Sequence, residues 1–259
     1  MNTDAANIYE SKDSEFKQET ERLSTFDLPI RISVEAIGDI SPDIHVLDIG
    51  AGPNTSLFSY VHSQGGEYTA LDKNPEFLER QKIAGAKTVL GDIRALPFEA
   101  EGFETCHARF VIAHLGHEKE LAISEVFRVT KPGGRAIFID YDWSTANGSE
   151  AFESVKDFMI HGGFLFDADF GGELEDLVTK VTGADAVVSR KDYPPTKMTD
   201  YSQVLKLREA GITDLRLQGR EEAVTAWTSA LGALQKESEN TELRDFFFPG
   251  MTVVSVSKN

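Results

Sequence analysis

The chain contains 259 residues, with 43 acidic and 26 basic side chains and a formal net charge of −17 at pH 7. Its length fits one large α/β domain or two small ones, and 41% hydrophobic residues with 27% charged residues are typical of a globular protein. The acidic excess argues against nucleic acid and anionic membranes as partners, because binding to polyanions needs clustered Lys and Arg.

Two further features narrow the class of protein. No stretch approaches the roughly 20 apolar residues of a membrane helix, and the polar, acidic residues 1–21 fit neither a signal peptide nor a transit peptide. The single cysteine, Cys106, allows no internal disulfide, and no His or Cys spacing matches a zinc site. We therefore expect a cytoplasmic protein with no membrane helix and no metal.

The N-terminal part, residues 1–43, is acidic, and its apolar residues are sparse until position 26. Its pattern predicts a polar helix over 11–23 and an amphipathic helix that ends near residue 38. We expect this segment to form a helical cap.

Residues 44–141 alternate between apolar strands and amphipathic helices. The predicted strands cover 44–49, 67–71, 87–90, 103–112 and 135–141, and the predicted helices cover 55–64, 74–84 and 119–129. Nearly continuous apolar strands that alternate with helices indicate an α/β fold, in which a parallel sheet is covered on both faces.

The remaining residues, 142–259, have a less regular pattern. It predicts helices over 150–160, 172–182, 201–210 and 221–237, and strands at 187–188, 212–217 and 246–256. No internal repeat is present. We expect one domain over 44–259, with an insert after the fifth strand at about 142–200.

A glycine-rich turn follows the first strand. Gly50 and Gly52 allow the backbone to approach a ligand closely, because glycine has no Cβ. A dinucleotide fingerprint requires a third glycine where this chain has Thr55. Asp48, at the end of the strand, would repel a pyrophosphate but would suit a ligand that carries an ammonium and a sulfonium.

The second and third strands also end in acids. Asp72 could accept both hydroxyls of a ribose, and Asp92 could accept from the exocyclic amine of an adenine while Ile93 packs on the ring. The carboxyl ends of successive parallel strands meet at one crevice. Together the acids predict a site for a nucleoside-containing cation.

Four stretches of the chain resemble the class I S-adenosylmethionine (SAM) dependent methyltransferases, above all the small-molecule branch of ubiquinone/menaquinone-biosynthesis methyltransferases. They are VLDIGAG (46–52), ALDKNPEFLERQ (70–81), GDIRALPFEAEGFETCHARFVIAHL (91–115) and EVFRVTKPGGRAIFID (125–140). The resemblance implies a Rossmann-like, seven-stranded, mostly parallel sheet with helices on both faces and an antiparallel last strand.

The resemblance also implies roles at matching positions. The glycine turn would face the methionine part of SAM with Asp48 nearby through water, the acid after the second strand would hold the ribose, and the residues around the third strand end would recognise adenine. The backbone at the end of the fourth strand would meet the methionine amino group. The cofactor residues so implied are Asp48, Gly50, Ala51, Gly52, Asp72, Lys73, Asp92, Ile93 and Arg109. The family often has a further glycine where this chain has Asn54, a residue that tolerates positive φ.

Methyl transfer depends mainly on alignment and on exclusion of water, so few catalytic side chains are expected. His114, after the fourth strand, is the candidate general base; the alternative is a packed or solvated histidine. The Arg109 side chain would bind an acceptor carboxylate, or would pair with Asp140 or Glu125.

Candidate acceptor residues lie after the fifth strand and near the N-terminus. Tyr141, Asp142 and Trp143 could stack on and orient a planar acceptor, although strand-end aromatics that fill the core would look the same. Tyr9 could close over the site. Cys106 fits buried packing better than a nucleophile.

These observations predict an enzyme of specialised-metabolite biosynthesis, either a monomer or a homodimer. It would transfer a methyl group from SAM to an O, N or C atom of a small molecule and release S-adenosylhomocysteine. The alternative is a protein that binds SAM in the same pocket without methylation, as a regulator or as an aid to a cyclisation. Thr55 and Asp48 disfavour a nicotinamide-dependent oxidoreductase.

Overall fold

The computed structural model describes residues 27–164, 166–198, 201–239 and 246–259. Tyr9 and the helix predicted over 11–23 lie outside this range. The chain divides into two compact units. The sheet unit contains residues 27–141, 170–193 and 251–259, and the helical unit contains the described residues within 142–169 and 194–250.

The helices and strands follow one another along the described chain. In order they are α1 (Asp27–Ile37), β1 (His45–Ile49), α2 (Ser56–Ser63), β2 (Glu67–Asp72), α3 (Pro75–Ile83), β3 (Lys87–Leu90), β4 (Phe103–Arg109), α4 (Lys119–Val129), β5 (Thr130–Asp142), α5 (Glu150–His161), α6 (Leu174–Thr182), β6 (Ala186–Tyr193), β7 (Thr196–Met198), α7 (Ser202–Leu205), α8 (Leu207–Leu217), α9 (Glu221–Ser238), β8 (Phe246–Phe248) and β9 (Gly250–Lys258).

The main sheet has seven strands in the order β3-β2-β1-β4-β5-β9-β6. β1 to β5 pair in parallel, and β9 runs antiparallel to β6. This confirms the predicted Rossmann-like sheet with one antiparallel strand. The strand order reverses at β1, between β2 and β4, and in such sheets the crevice at the carboxyl ends of the strands is the usual ligand site.

Both faces of the sheet are covered by helices. Successive residues of a strand point to opposite faces, so neighbouring residues of β1 belong to two different core clusters. Leu47 and Ile49 of β1 join one core cluster with residues of α4 and α6. Val46 joins the other cluster with residues of α1, α2 and α3.

The helix α1 was expected within an N-terminal cap, and it belongs to the sheet unit. It buries Ile30, Ile32, Ser33 and Ile37. Pro29 lies in its first turn, where a missing N–H costs no helical hydrogen bond. The buried Ser33 is the unusual member of this face, because serine is mostly exposed in folded proteins.

The helical unit contains α5, α7, α8 and α9 and a two-stranded ribbon of β7 and β8. The strand predicted over 212–217 is wrong, because these residues belong to α8. The expected insert over 142–200 covers only part of this unit, since residues 170–193 return to the sheet unit. Among the described residues, no helix has the length and apolar character that crossing a membrane requires.

Candidate functional site

The glycine turn after β1 has a backbone that only glycine adopts easily. Gly50 and Gly52 have φ values of +65° and +62°. The N–H groups of Gly50 and Ala51 both donate to Leu71 O, at 2.8 and 3.1 Å. A Cβ on Gly50 would lie 2.4 Å from Val111 Cγ2, whereas a Cβ on Gly52 would meet nothing closer than 4.0 Å. The turn is therefore packed against Val111, two residues after β4, at Gly50 and has open space at Gly52.

Two buried side chains hold this turn. Asp72 Oδ2 accepts from Gly52 N at 2.9 Å, and its Oδ1 accepts from Asn74 N at 2.9 Å. Gln81 Nε2 donates to Gly52 O at 3.0 Å and to Asn54 O at 2.9 Å. Sequence reasoning missed Gln81. Its signal was a polar residue on the helix face that also buries Phe77 and Leu78.

The ribose acid predicted at Asp72 thus has a structural role as well. Burial raises the pKa of Asp72, and the hydrogen bonds from Asn74 N and Gly52 N act in the opposite direction. A carboxylate offers about four lone-pair positions. Two of them bind the backbone, so the remaining capacity is compatible with ribose hydroxyls.

Asp48, the acid at the end of β1, is almost completely buried. Tyr68 Oη donates to Asp48 Oδ2 at 2.5 Å, and His107 Nδ1 lies 2.8 Å from Asp48 Oδ1. Burial raises the pKa of Tyr68 well above its ordinary value, and the nearby Asp48 adds to this effect. The tyrosine therefore remains a hydrogen-bond donor, and Asp48 interacts mainly with protein groups.

The network continues from His107 towards α1. His107 Nε2 lies 3.0 Å from Ser33 Oγ, and Ser33 Oγ donates to Pro29 O at 3.0 Å. Arg109 Nη1 donates to Ser33 Oγ at 3.0 Å. Sequence reasoning left His107 unassigned and missed Ser33. A histidine in the middle of an otherwise buried strand and a serine on a buried helix face were the available signals.

Asp92, after β3, lies in a more exposed network. Arg94 Nε and Nη2 donate to its two oxygens at 2.9 and 2.6 Å, and Arg94 Nη1 donates to Glu118 Oε2 at 2.7 Å. The hydrogen bonds from Arg94 lower the pKa of Asp92. Lys73 also lowers the pKa of both Asp72 and Asp92, which places its charge near both acids. Ile93 is buried in the core cluster.

The carboxyl end of β4 has an unusual backbone. Phe110 has φ = +58°, a conformation that is rare for a bulky residue and is often found at functional sites. Its ring stacks on Tyr141 with centroids 4.1 Å apart and an interplanar angle of 12°. His114 lies in the 3-10 turn Ile112–His114, partly buried, and its N–H donates to Val111 O at 3.1 Å. The expected pairing of Arg109 with Glu125 is wrong, because Glu125 binds Arg128.

Asp142 and Trp143, two candidate acceptor residues, belong to the helical unit. Trp143 is buried, its backbone N–H donates to Ala168 O at 3.2 Å, and its ring packs edge-on against Phe248 with the ring centroids 5.6 Å apart. This placement matches the core-packing alternative. Asp142 Oδ1 accepts from Ser144 N at 3.1 Å. Tyr9 lies outside the described residues.

Metal and thiol chemistry find no support in this region. Within the described part of the chain, no group of three or more His, Cys, Asp or Glu residues could hold a metal ion. Cys106 is buried in the core cluster, and burial raises the pKa of its thiol to about 12. A protonated, inaccessible thiol is a poor nucleophile.

The residues at the crevice fit SAM in their chemistry. The open backbone at Gly52 allows close approach, and Asp72 and Asp92 supply acceptors for a ribose and an adenine amine. Residues 47–138, which contain the glycine turn and all three strand-end acids, match the family described as "Methyltransferase domain". Residues 47–138 are therefore similar to a methyltransferase domain, in agreement with the class and the SAM cofactor that the motifs predict.

The chain is similar to several known proteins. It is 32% identical over 117 residues to a demethylmenaquinone methyltransferase of Renibacterium salmoninarum, covering 44% of this chain and 48% of the relative. The matches span 33–48% of the length of the first curated relatives.

Two solved structures have a similar fold at low identity. One is the YcgJ protein of Bacillus subtilis, with a TM-score of 0.60, 15% identity, and coverage of 90% of this chain and 100% of the other. The other is the [4+2]-cyclase SpnF, with a TM-score of 0.54, 15% identity, and coverage of 89% and 79%.

Proposed function

We propose that the protein transfers a methyl group from SAM to an oxygen, nitrogen or carbon atom of a small molecule. The observation that carries the proposal is the methyltransferase domain match over residues 47–138, which includes the glycine turn and the three strand-end acids. SAM supplies a methyl group activated by a positively charged sulfur. The residues of the chain bind and orient the reactants and exclude water.

The proposed roles follow the geometry of the crevice. The backbone of Gly50, Ala51 and Gly52 lies along the methionine part, and Asp72 binds the ribose while it holds the turn. Lys73, Asp92 and Ile93 surround the adenine, and an adenine amine would share Asp92 with Arg94. The buried Asp48, two residues before the turn, is held by Tyr68 and His107.

On the acceptor side, His114 is proposed to remove a proton where the acceptor carries one. Tyr141, which stacks on Phe110, offers an aromatic surface for a planar acceptor. Asp142, Trp143 and Tyr9 stay predictions. A cytoplasmic location and a monomeric or homodimeric state also stay proposals.

The experiment is incubation of the full chain with methyl-labelled SAM and a panel of small acceptors. The relative named demethylmenaquinone methyltransferase makes a demethylmenaquinone a sensible first member of the panel. We expect label in an acceptor. A His114→Ala variant should lower kcat most at neutral to alkaline pH, where the wild-type histidine is deprotonated and can act as a base, and the difference should shrink at acidic pH, where that histidine is protonated. Bound SAM with no labelled product across the panel would contradict methyl transfer.

A second candidate function is a reaction that uses bound SAM without methylation. The fold likeness to a [4+2]-cyclase favours keeping it, although a likeness at 15% identity concerns the fold alone. In this case SAM would bind, no label would leave it, and S-adenosylhomocysteine would not accumulate. Chromatography of the cofactor after incubation separates the two functions.

A further inference from the structure

Arg109 is the last residue of β4, and it lies level with the glycine turn. In the β1–β4 ladder, Asp48 pairs with His107 and Ile49 pairs with Ala108. The next position along the two strands brings Arg109 beside Gly50, and adjacent strands lie about 4.8 Å apart. The backbone of Arg109 therefore lies at the point where β1 leads into the turn.

The charge of Arg109 is only partly compensated by the protein. Its guanidinium is partly buried and donates to one neutral oxygen, Ser33 Oγ. Among the described residues no carboxylate lies within ion-pair distance of it. Burial lowers the pKa of Arg109, and the negative charge of Asp48 acts in the opposite direction. The two Asp48 oxygens interact with Tyr68 and His107 instead.

The surroundings hold this guanidinium in place. Ser33 Oγ is anchored by its hydrogen bond to Pro29 O and lies 3.0 Å from His107 Nε2. On the other side, Arg109 Cζ lies 5.9 Å from the centroid of the Phe110 ring. A guanidinium presents five N–H donors, and one is used here. A partly buried, oriented cation with unused donors is suited to bind an anion.

We propose that the Arg109 side chain binds the α-carboxylate of SAM. The inference rests on the proposed function. The amino-acid end of SAM carries one carboxylate, and the strand-end residues Asp48, Asp72 and Asp92 would repel it. Arg94 already donates to Asp92 and Glu118. The planar fork of a guanidinium matches the two oxygens of a carboxylate, so Arg109 supplies the missing positive group.

The test compares the binding of SAM with that of decarboxylated SAM, which lacks this carboxylate, by isothermal titration calorimetry. A charge-assisted hydrogen bond predicts that the wild type prefers SAM by about ten- to a hundredfold. In Arg109→Met we expect the ratio of the affinity for SAM to the affinity for decarboxylated SAM to fall to nearly one. SAM should bind more weakly, and the binding of decarboxylated SAM should change little. Arg109→Lys, which keeps the charge without the fork, should give an intermediate ratio.

Arg135→Met is the matched control. Arg135 is also partly buried with its pKa lowered by burial. Like Arg109 it donates to an oxygen of α1, in this case the backbone oxygen of Ile37. It pairs with Thr105 near the amino end of β4, away from the crevice. We expect this variant to keep the wild-type ratio.

Three results would overturn the assignment. The first is an unchanged affinity ratio in Arg109→Met, and the second is equal affinity of the wild type for SAM and decarboxylated SAM. The third is unchanged SAM binding by Arg109→Met together with a raised KM for a carboxylate-bearing acceptor. Absence of any SAM binding by the wild type would instead reject the proposed function itself. If Arg109→Met does not fold, as judged by circular dichroism, the ratios of Arg109→Lys and Ser33→Ala decide, since both should fall below that of the wild type.

Discussion

The strands β1 and β3 both end in an aspartate at the same edge of one sheet, yet the two carboxylates have different partners. Asp48 is 4% exposed and interacts with a tyrosine and a histidine from the neighbouring strands. The Asp92 side chain is 34% exposed and binds an arginine two residues further along its own loop.

The difference follows from the position of each strand in the sheet. β1 is central, with β2 and β4 on either side, so a carboxylate on its covered face must find buried donors. β3 is the edge strand, and water reaches its end. The same strand-end acid is therefore part of the interior in one case and a surface group in the other.

Replacing Asp48 tests this comparison most strongly. Asp48→Ala leaves Tyr68 Oη and His107 Nδ1 buried without their acceptor, and we expect the free energy of unfolding to fall by about 3–5 kcal/mol. Urea unfolding followed by circular dichroism measures the change. Asp92→Ala is the matched control, and equal losses for the two variants would show that the position in the sheet does not matter.

The strand-end acids could be predicted from sequence because each lies within two residues of the end of its strand: Asp48 is the penultimate residue of β1, Asp72 is the last residue of β2, and Asp92 comes two residues after β3. The register places them as expected: Ile49 pairs with Leu71, and Asp72 pairs with Leu90. Their partners could not be predicted. Ser33 and His107 are separated by 74 positions, and only the packing of α1 on the sheet brings them together.

The helical unit shows the opposite case, in which a local pattern predicts the wrong element. Residues 212–217 read Ile-Thr-Asp-Leu-Arg-Leu, a short mixture of apolar and polar residues that alternates over 215–217 as half-buried strands do. In α8 the buried residues Gly211, Ile212 and Leu215 instead form one helical face. A Cβ on Gly211 would lie 2.4 Å from Trp227 Nε1, so tight packing against α9 explains the glycine.

The glycine turn permits a second test, because its two glycines share a positive φ but differ in the space around the Cα atom. Both have positive φ, but only Gly50 is pressed against Val111. We expect Gly52→Ala to cost about 1–2 kcal/mol from backbone strain, and Gly50→Ala about 2–4 kcal/mol from strain plus overpacking. Adding Val111→Ala should recover part of the Gly50→Ala loss. Equal costs for the two single variants would contradict the close contact.

Asp72, on β2 between the two other acids, is buried like Asp48 but is bonded by backbone donors. We expect Asp72→Asn to cost about 1–2 kcal/mol at acidic pH, because an amide satisfies only one of the two N–H groups. Burial raises the folded-state pKa of Asp72 from its ordinary value of 3.8. The folded state therefore favours protonated Asp72 over ionised Asp72. This contribution to the free energy of unfolding is fully present below pH 4 and is lost as the pH rises through the raised pKa of Asp72.

Because the variant cannot titrate there, the difference in unfolding free energy between the wild type and Asp72→Asn should shrink from pH 3.5 to pH 7. Urea titrations across this range measure it. Asp72→Ala, which removes both acceptors, should cost more at every pH. If the difference between the wild type and Asp72→Asn widens as the pH rises, the backbone N–H donors lower the pKa of Asp72 by more than burial raises it.

The smallest effect is expected at the end of β3. Asp92 and Arg94 are each about one-third exposed, so Asp92→Ala should cost no more than about 1 kcal/mol, and this cost should fall further in 1 M salt. If Asp92 also accepts from adenine, the same variant should weaken SAM binding by more than it weakens the fold. Arg94→Met breaks the same ion pair but leaves the carboxylate, so it should cost similar stability and spare SAM binding. Parallel calorimetry and urea unfolding of the two variants thus separate a cofactor acid from a surface ion pair, and equal SAM affinities in both would assign Asp92 to the ion pair alone.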